Sequence, residues 1–296
     1  MLRKKESLSE KYATKAYELF EKKKWKVGYC ETERSVFDCF CDRLAMLDND
    51  EQRDLILELT EDYLKITLKD YEALLIEVWK EYLKNNKIQL NSEERFCICP
   101  ILIEADFKKQ KSSTAMLYLC GSLELRSFGM FADEQIRLCS TPEALVRDIV
   151  DKEVPLGRLV LIDDYIGSGE TALECIEYIK KNHVDVEKVD VLSLVAQEEA
   201  INNLEKENVK VYAAVVRKKG ISDKYAIGIV EKKKCIMHEI EDILKVDSKY
   251  SFGFNQTEAL ISLIKTPNNT FPVYWYENNS IKSKAPFPRK ENIKML

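Results

Sequence analysis

The sequence predicts an α/β fold: a parallel-sheet, Rossmann-like core preceded by an α-helical N-terminal region. Three observations point there. Apolar residues up to about Arg95 recur at helical spacing. From Phe96 onward, short apolar runs rich in β-branched residues alternate with amphipathic stretches. One of those runs, Leu159 to Ile162, ends in two acids and a Gly/Ser turn that leads into a helical pattern. The expected organisation is a helical region over 1–95 and an α/β domain with an irregular tail over 96–296.

Val36, Phe37, Phe40, Cys41, Leu44 and Leu47 follow Thr32, which is placed to cap a helix, and Asn49-Asp50 can end that helix and cap the next. Thr67-x-x-Asp70 has the form of a capping box before Leu68, Tyr71, Leu74, Leu75, Val78, Trp79 and Tyr82. The aromatic members of that stripe read as core and receive no functional role. Phe96 to Ile103 reads as a strand buried on both faces, then Asp106 to Ser113 is polar. Thr114 to Leu123 fits either a buried helix or a strand. Thr141-Pro142-Glu143 starts a helix through Ala144, Leu145, Ile149 and Val150. Leu159–Ile162, Val189–Ala196 and Val209–Val216 read as parallel strands, with helices over Thr171–Lys181 and Gln197–Glu207 between them. That alternation implies right-handed crossovers and a doubly wound sheet. From Thr266 the prolines 267, 272, 286 and 288 predict loops lying over the domain.

Composition narrows the function classes. With 45% hydrophobic and 33% charged residues, the chain has no apolar run near the roughly 18 residues that span a bilayer. No apolar segment follows the basic start, so a secretory signal is not expected and the reading is cytoplasmic. The nine cysteines are dispersed in apolar surroundings and read as reduced. Cys39/Cys41 and Cys97/Cys99 have C-x-C spacing far from His183 and His238, which argues against zinc. A net charge of -5 argues against direct nucleic-acid binding, and Arg217-Lys218-Lys219 and Lys232-Lys233-Lys234 read as solvated surface.

The informative stretch is Leu159-Val160-Leu161-Ile162-Asp163-Asp164-Tyr165-Ile166-Gly167-Ser168-Gly169-Glu170-Thr171. A helix N-terminus presents free N–H groups and a favourable dipole to an anion, and glycines let the backbone approach a phosphate. Ser168 and Thr171 add hydroxyl donors. Carboxylates at the strand end can accept from sugar hydroxyls or hold a metal through water. The alternative is an ordinary turn in which the two acids cap the helix or face solvent.

This stretch resembles the PRPP signature of type I phosphoribosyltransferases, with Asp163 and Asp164 as the acidic pair, Tyr165 and Ile166 as the apolar pair, and Gly167 to Thr171 as the phosphate loop. The resemblance implies that Asp163 and Asp164 are catalytic, meeting the ribose hydroxyls and, through ribose or water, magnesium. It implies that Ile166, Gly167, Ser168, Gly169, Glu170 and Thr171 hold the 5-phosphate. Some base-transferring members carry an acid where this chain has Gly167, so purine salvage is not implied. The family also uses an earlier loop for pyrophosphate, for which Lys111, Ser112 and Ser113 are the candidates and Arg126 a further one; a solvated basic loop is the alternative. Tyr165, Asn268, Asn269 and Trp275 are candidate base contacts, the last three equally readable as turn formers beside a core tryptophan. Gly253 to Glu258 and Thr266 to Trp275, with the acid-pair loop, resemble a divergent group found in bacterial antiphage systems, including retron-associated effectors. The resemblance thus implies PRPP or a nucleotide as substrate, magnesium as cofactor, a protein or ribonucleoprotein partner in a defence complex, and a homodimer. A catalytically inactive nucleotide-binding regulator is the other reading.

Overall fold

A computed structural model describes residues 7–28, 35–88, 95–109, 111–122, 125, 136–152, 157–182, 184, 188–278, 280 and 284–289. The chain forms two compact units, Met1–Ile66 with Lys218–Leu296, and Thr67–Arg217. The division differs from the boundary expected at residue 95. Helix α4 (Leu68–Asn85) buries its apolar stripe against the sheet, and the segment after the last sheet strand packs with the N-terminal helices.

The second unit holds a parallel sheet of β2 (Phe96–Pro100), β3 (Ile136–Leu138), β4 (Arg158–Ile166), β5 (Val189–Gln197) and β6 (Lys210–Arg217). Its order is β3-β2-β4-β5-β6, with every pairing parallel. The chain therefore winds outward from β2 to β3, then restarts on the other side of β2 at β4. A crevice opens at such a reversal, beyond the carboxyl ends of the two diverging strands. The parallel α/β class is as the sequence predicts.

Helices α6 (Pro142–Lys152), α7 (Glu170–Lys181) and α8 (Glu198–Lys206) cover one face, where Cys97, Cys99, Leu159, Leu161 and Val191 meet Leu145, Cys175, Ile176 and Leu204. Alternate residues turn the other way: Phe96 meets the ring of Tyr82, and α4 and α5 (Ser112–Cys120) lie over the sheet there. The run 114–123 that fitted helix or strand thus contributes to a helix. Strand β2 stops at Pro100, short of the expected Ile103. Thr141 caps α6 as its spacing predicts, accepting at Oγ1 from Ala144 N at 3.0 Å.

The other unit contains α1 (Glu10–Lys22), α2 (Val36–Ala45), α3 (Asp50–Glu61) and α9 (Ile227–Ile243) around Phe20, Phe40, Leu44, Leu59, Met237 and Ile240. Ser35, not Thr32, caps α2, in a reciprocal box with Asp38; Thr32 lies outside the described residues. Asn49 caps α3 as expected, accepting from Gln52 N at 2.9 Å. The tail is more ordered than loops. Short strand β7 (Ile261–Ser262) pairs in parallel with β1 (Leu64–Lys65), and the one-turn helix α10 (Pro272–Trp275) puts Val273 and Tyr274 into the core. The basic run at 232–234 is spent on ion pairs with Glu51, Glu58 and Glu258. Among the described residues every cysteine is free, and no helix is long and apolar enough to cross a membrane.

Candidate functional site

Strand β4 runs four residues past its expected end, through both acids to Ile166, with Asp163 opposite Ser193 and Ile166 opposite Ala196 on β5. Successive strand residues face opposite ways, so the acid pair is divided between environments. Asp164 is 4% exposed and accepts a 2.7 Å hydrogen bond from Tyr71 Oη on α4. Asp163 is half-buried, and its Oδ1 accepts from Ser112 Oγ at 3.0 Å and from Asp164 N at 2.8 Å. Burial, followed by the neighbouring charge of Asp164, raises the Asp163 carboxyl well above the ordinary range, against the opposing bond from Ser112. The two acids thus have different partners, Tyr71 for Asp164 and Ser112 for Asp163.

Beyond β4 the chain turns through Gly167, Ser168 and Gly169 into α7. Gly169 takes φ +88°, a conformation that L side chains rarely adopt, and it caps α7 without a side-chain bond. A helix N-terminus in general presents its first-turn amides to an anion. Asn203 on α8 steadies the loop by donating from Nδ2 to the Ser168 carbonyl at 3.2 Å. Ser168 Oγ accepts from Glu170 N at 3.4 Å, and Glu170 and Thr171 are exposed. Ile166 is 4% exposed, with its side chain in the core.

Ser112 stands at the first position of α5 and reaches Asp163, so the expected pyrophosphate loop and the acid pair do meet. Its neighbours behave differently from the expectation. Ser113 is buried and its hydroxyl donates to the Ile101 carbonyl at 3.0 Å, a bond that holds α5 to the end of β2. Lys111 Nζ lies 2.9 Å from Asp106 Oδ2 and Lys109 Nζ lies 2.8 Å from Oδ1, so that acid already offsets two of the loop's cations. Phe107 packs edge-on against Tyr178 of α7, joining the segment after β2 to that helix. Arg126 lies outside the described residues.

Tyr165 is buried, and its hydroxyl has no hydrogen-bond geometry with the nearby Gln197. Asn268, Asn269 and Trp275 belong to the other unit, where the Asn268 backbone and the side chains of Asn269 and Trp275 make hydrogen bonds. Asn268 O accepts from Phe254 N at 2.9 Å, Asn269 Nδ2 donates to Phe254 O at 3.3 Å, and Trp275 Nε1 donates to Thr270 O at 2.7 Å. The two tail segments singled out in the sequence thus clasp each other around Gly253, where an added Cβ would fall 1.9 Å from Asn269 O.

Tyr71 and Asn203 escape sequence reasoning. Tyr71 sits in an apolar stripe that reads as core, and it is core, at 1% exposure. The trace it leaves is a tyrosine, with a polar tip, where phenylalanine would fill the space.

The PRTase-CE family model matches residues 23–289, nearly the whole chain. The chain belongs to the PRTase-CE family. Solved structures similar in part to this PRTase-CE member include orotate phosphoribosyltransferase from Aeropyrum pernix, 20% identical over 50% of this chain and 69% of that one, with a TM-score of 0.30. A hypothetical protein from Neisseria gonorrhoeae with bound ppGpp is 14% identical over 60% and 97%, with a TM-score of 0.34. A protein from Aquifex aeolicus is 12% identical over 62% and 84%, with a TM-score of 0.31. At these TM-scores the PRTase-CE assignment rests on the family match alone. No curated protein matches the chain.

Proposed function

We propose that this protein binds PRPP or a related phosphoribosyl nucleotide and acts at the anomeric carbon of its ribose, as a phosphoribosyltransferase-like enzyme. The observation that carries the reading is the adjacency of the Gly167–Thr171 turn, capping α7, to the half-buried Asp163 at the reversal of strand order. The turn would take the 5-phosphate, and the acids the ribose hydroxyls. Cleavage of the bond between the anomeric carbon and a diphosphate oxygen passes through an oxocarbenium-like state. It needs the sugar held in place and the departing charge stabilised, with no strong protein nucleophile.

Magnesium fits this donor set. The acids offer only oxygen ligands, and among the described residues no group of three or more His, Cys, Asp or Glu could hold a metal by itself. That suits an ion held by one or two carboxylates together with substrate phosphates. Asp163 and Asp164 would hold it through ribose or water, and it would supply charge neutralisation on the diphosphate. The remaining chemistry falls to the chain: Ser112 and the Asp164 amide orient Asp163, and the α7 amides fix the phosphate.

A second reading has its own support. Lys111 and Lys109 are already paired with Asp106, and Ser113 is committed to Ile101, which favours a nucleotide-binding regulator that does not release pyrophosphate. Participation in antiphage defence, in complex with a protein or ribonucleoprotein, is proposed from the resemblance of the acid-pair loop and the tail segments.

Incubation with PRPP, magnesium and a panel of bases and nucleotides separates the two. Pyrophosphate release that disappears in Asp163→Asn supports the enzyme; tight PRPP binding without turnover supports the regulator. Absence of phosphate-ligand binding contradicts both.

A further inference from the structure

Helix α4 carries two buried tyrosines three turns apart on one face, and each donates its hydroxyl to a buried aspartate of the sheet. Tyr71 Oη meets Asp164 Oδ2 at 2.7 Å near the carboxyl end of β4. Tyr82 Oη meets Asp190 Oδ2 at 3.0 Å at the amino end of β5. Helix α4 therefore runs from the sheet edge that bears the Gly167–Thr171 turn to the opposite edge.

The two aspartates differ in what else they meet. Asp190 has a counter-charge, Arg158 Nη1 at 3.5 Å, itself held by Asn86 Oδ1 at 2.9 Å. That is a closed arrangement, in which a buried charge is paired and its cation fixed. Asp164 has no ion pair among the described residues. Beyond its neighbour Asp163, Tyr71 is the side chain that bonds to it. A buried carboxylate has room for about four hydrogen bonds, and leaving that capacity unfilled is costly. At the amino edge a tyrosine and a fixed cation both meet Oδ2 of Asp190; at the carboxyl edge Tyr71 meets Oδ2 of Asp164, with no cation among the described residues.

We propose that Tyr71 is a positioning residue, holding one oxygen of Asp164 so that the other is presented to the ribose hydroxyls or the magnesium of the ligand. This rests on the phosphoribosyl reading. It assigns α4 a part in the site and makes Tyr82, with the same chemistry at the wrong edge, its internal control.

The test uses the full chain as wild type, Tyr71→Phe and Tyr82→Phe, with thermal unfolding, calorimetric titration of magnesium–PRPP, and crystal structures of the variants. Both substitutions are expected to lower Tm, since each strips a buried acid of a donor. Tyr71→Phe alone is expected to weaken the ligand, by about tenfold or more, the size expected for a hydrogen bond to a charged group. Wild-type affinity in Tyr71→Phe, or an equal loss in Tyr82→Phe, overturns the proposal. If the wild type binds no phosphoribosyl ligand, the functional reading falls, and the positioning is judged on Asp164 in the Tyr71→Phe crystal. A displaced carboxylate supports it; an unmoved one overturns it.

Discussion

At the scale of the residue, the site depends on groups whose neighbours dictate their behaviour. Gly169 holds φ +88°, and a Cβ there meets Ala200 O and Leu204 only at ordinary contact distance, so conformation and not crowding sets the cost of change. Gly169→Ala is expected to lose about 1 kcal/mol of stability and to weaken ribose 5-phosphate binding, read by thermal unfolding and titration. Glu258 shows the same dependence in the other unit. It is fully buried and accepts from Ile221 N at 2.9 Å, Ser222 N at 2.7 Å and Ser222 Oγ, with Lys234 Nζ at 3.0 Å. Burial works to raise its carboxyl, but the Ser222 and Lys234 bonds prevail and hold it below the ordinary range. Its stabilising contribution is therefore complete above the unfolded value, about 4.3, and is lost as pH falls through the lower folded value. Glu258→Gln is expected to cost on the order of 3 kcal/mol at neutral pH and to flatten that part of the acid limb, measured by denaturant unfolding against pH. The acid pair and the glycines were legible in the sequence because their order is local. Tyr71 was not, because what distinguishes it is a hydroxyl aimed at a residue 93 positions away.

At the scale of the element, periodicity served well wherever one face is apolar and the other wet. The helices after Thr67 and Thr141 begin close to where capping and proline chemistry place them, and the one expected from Thr171 begins at Glu170. Strand β4 was read short because its last residues include two acids, and hydrophobic pattern cannot see a strand whose polar end is bonded by neighbouring helices. The run 114–123 stayed ambiguous because a helix apolar on most sides has no clear period, which is how α5 lies on the sheet. Helix α8 packs against Gly169 through Ala200 and Leu204 and bonds to the turn through Asn203. Asn203→Ala frees the Ser168 carbonyl and is expected to reduce ribose 5-phosphate affinity about fivefold, as for one hydrogen bond of about 1 kcal/mol, with α8 intact by circular dichroism.

At the scale of the whole molecule, the sequence conveys the parallel α/β class but not the division into units. The boundary depends on pairings far apart in the chain, such as Leu64 with Ile261, and no local period encodes them. The sheet order was not legible either: the short strand β3 went unread, and its place beside β2 is what makes the chain restart at β4, where Ser112 after β2 meets Asp163. The central claim is that the Gly167–Thr171 turn is a phosphate cradle. The most direct measurement is the change in backbone amide resonances of the isotope-labelled protein as ribose 5-phosphate is added. The account predicts that the largest saturable shifts fall on Gly167, Ser168, Gly169, Glu170 and Thr171; shifts confined to other residues, or none at millimolar ligand, would contradict it.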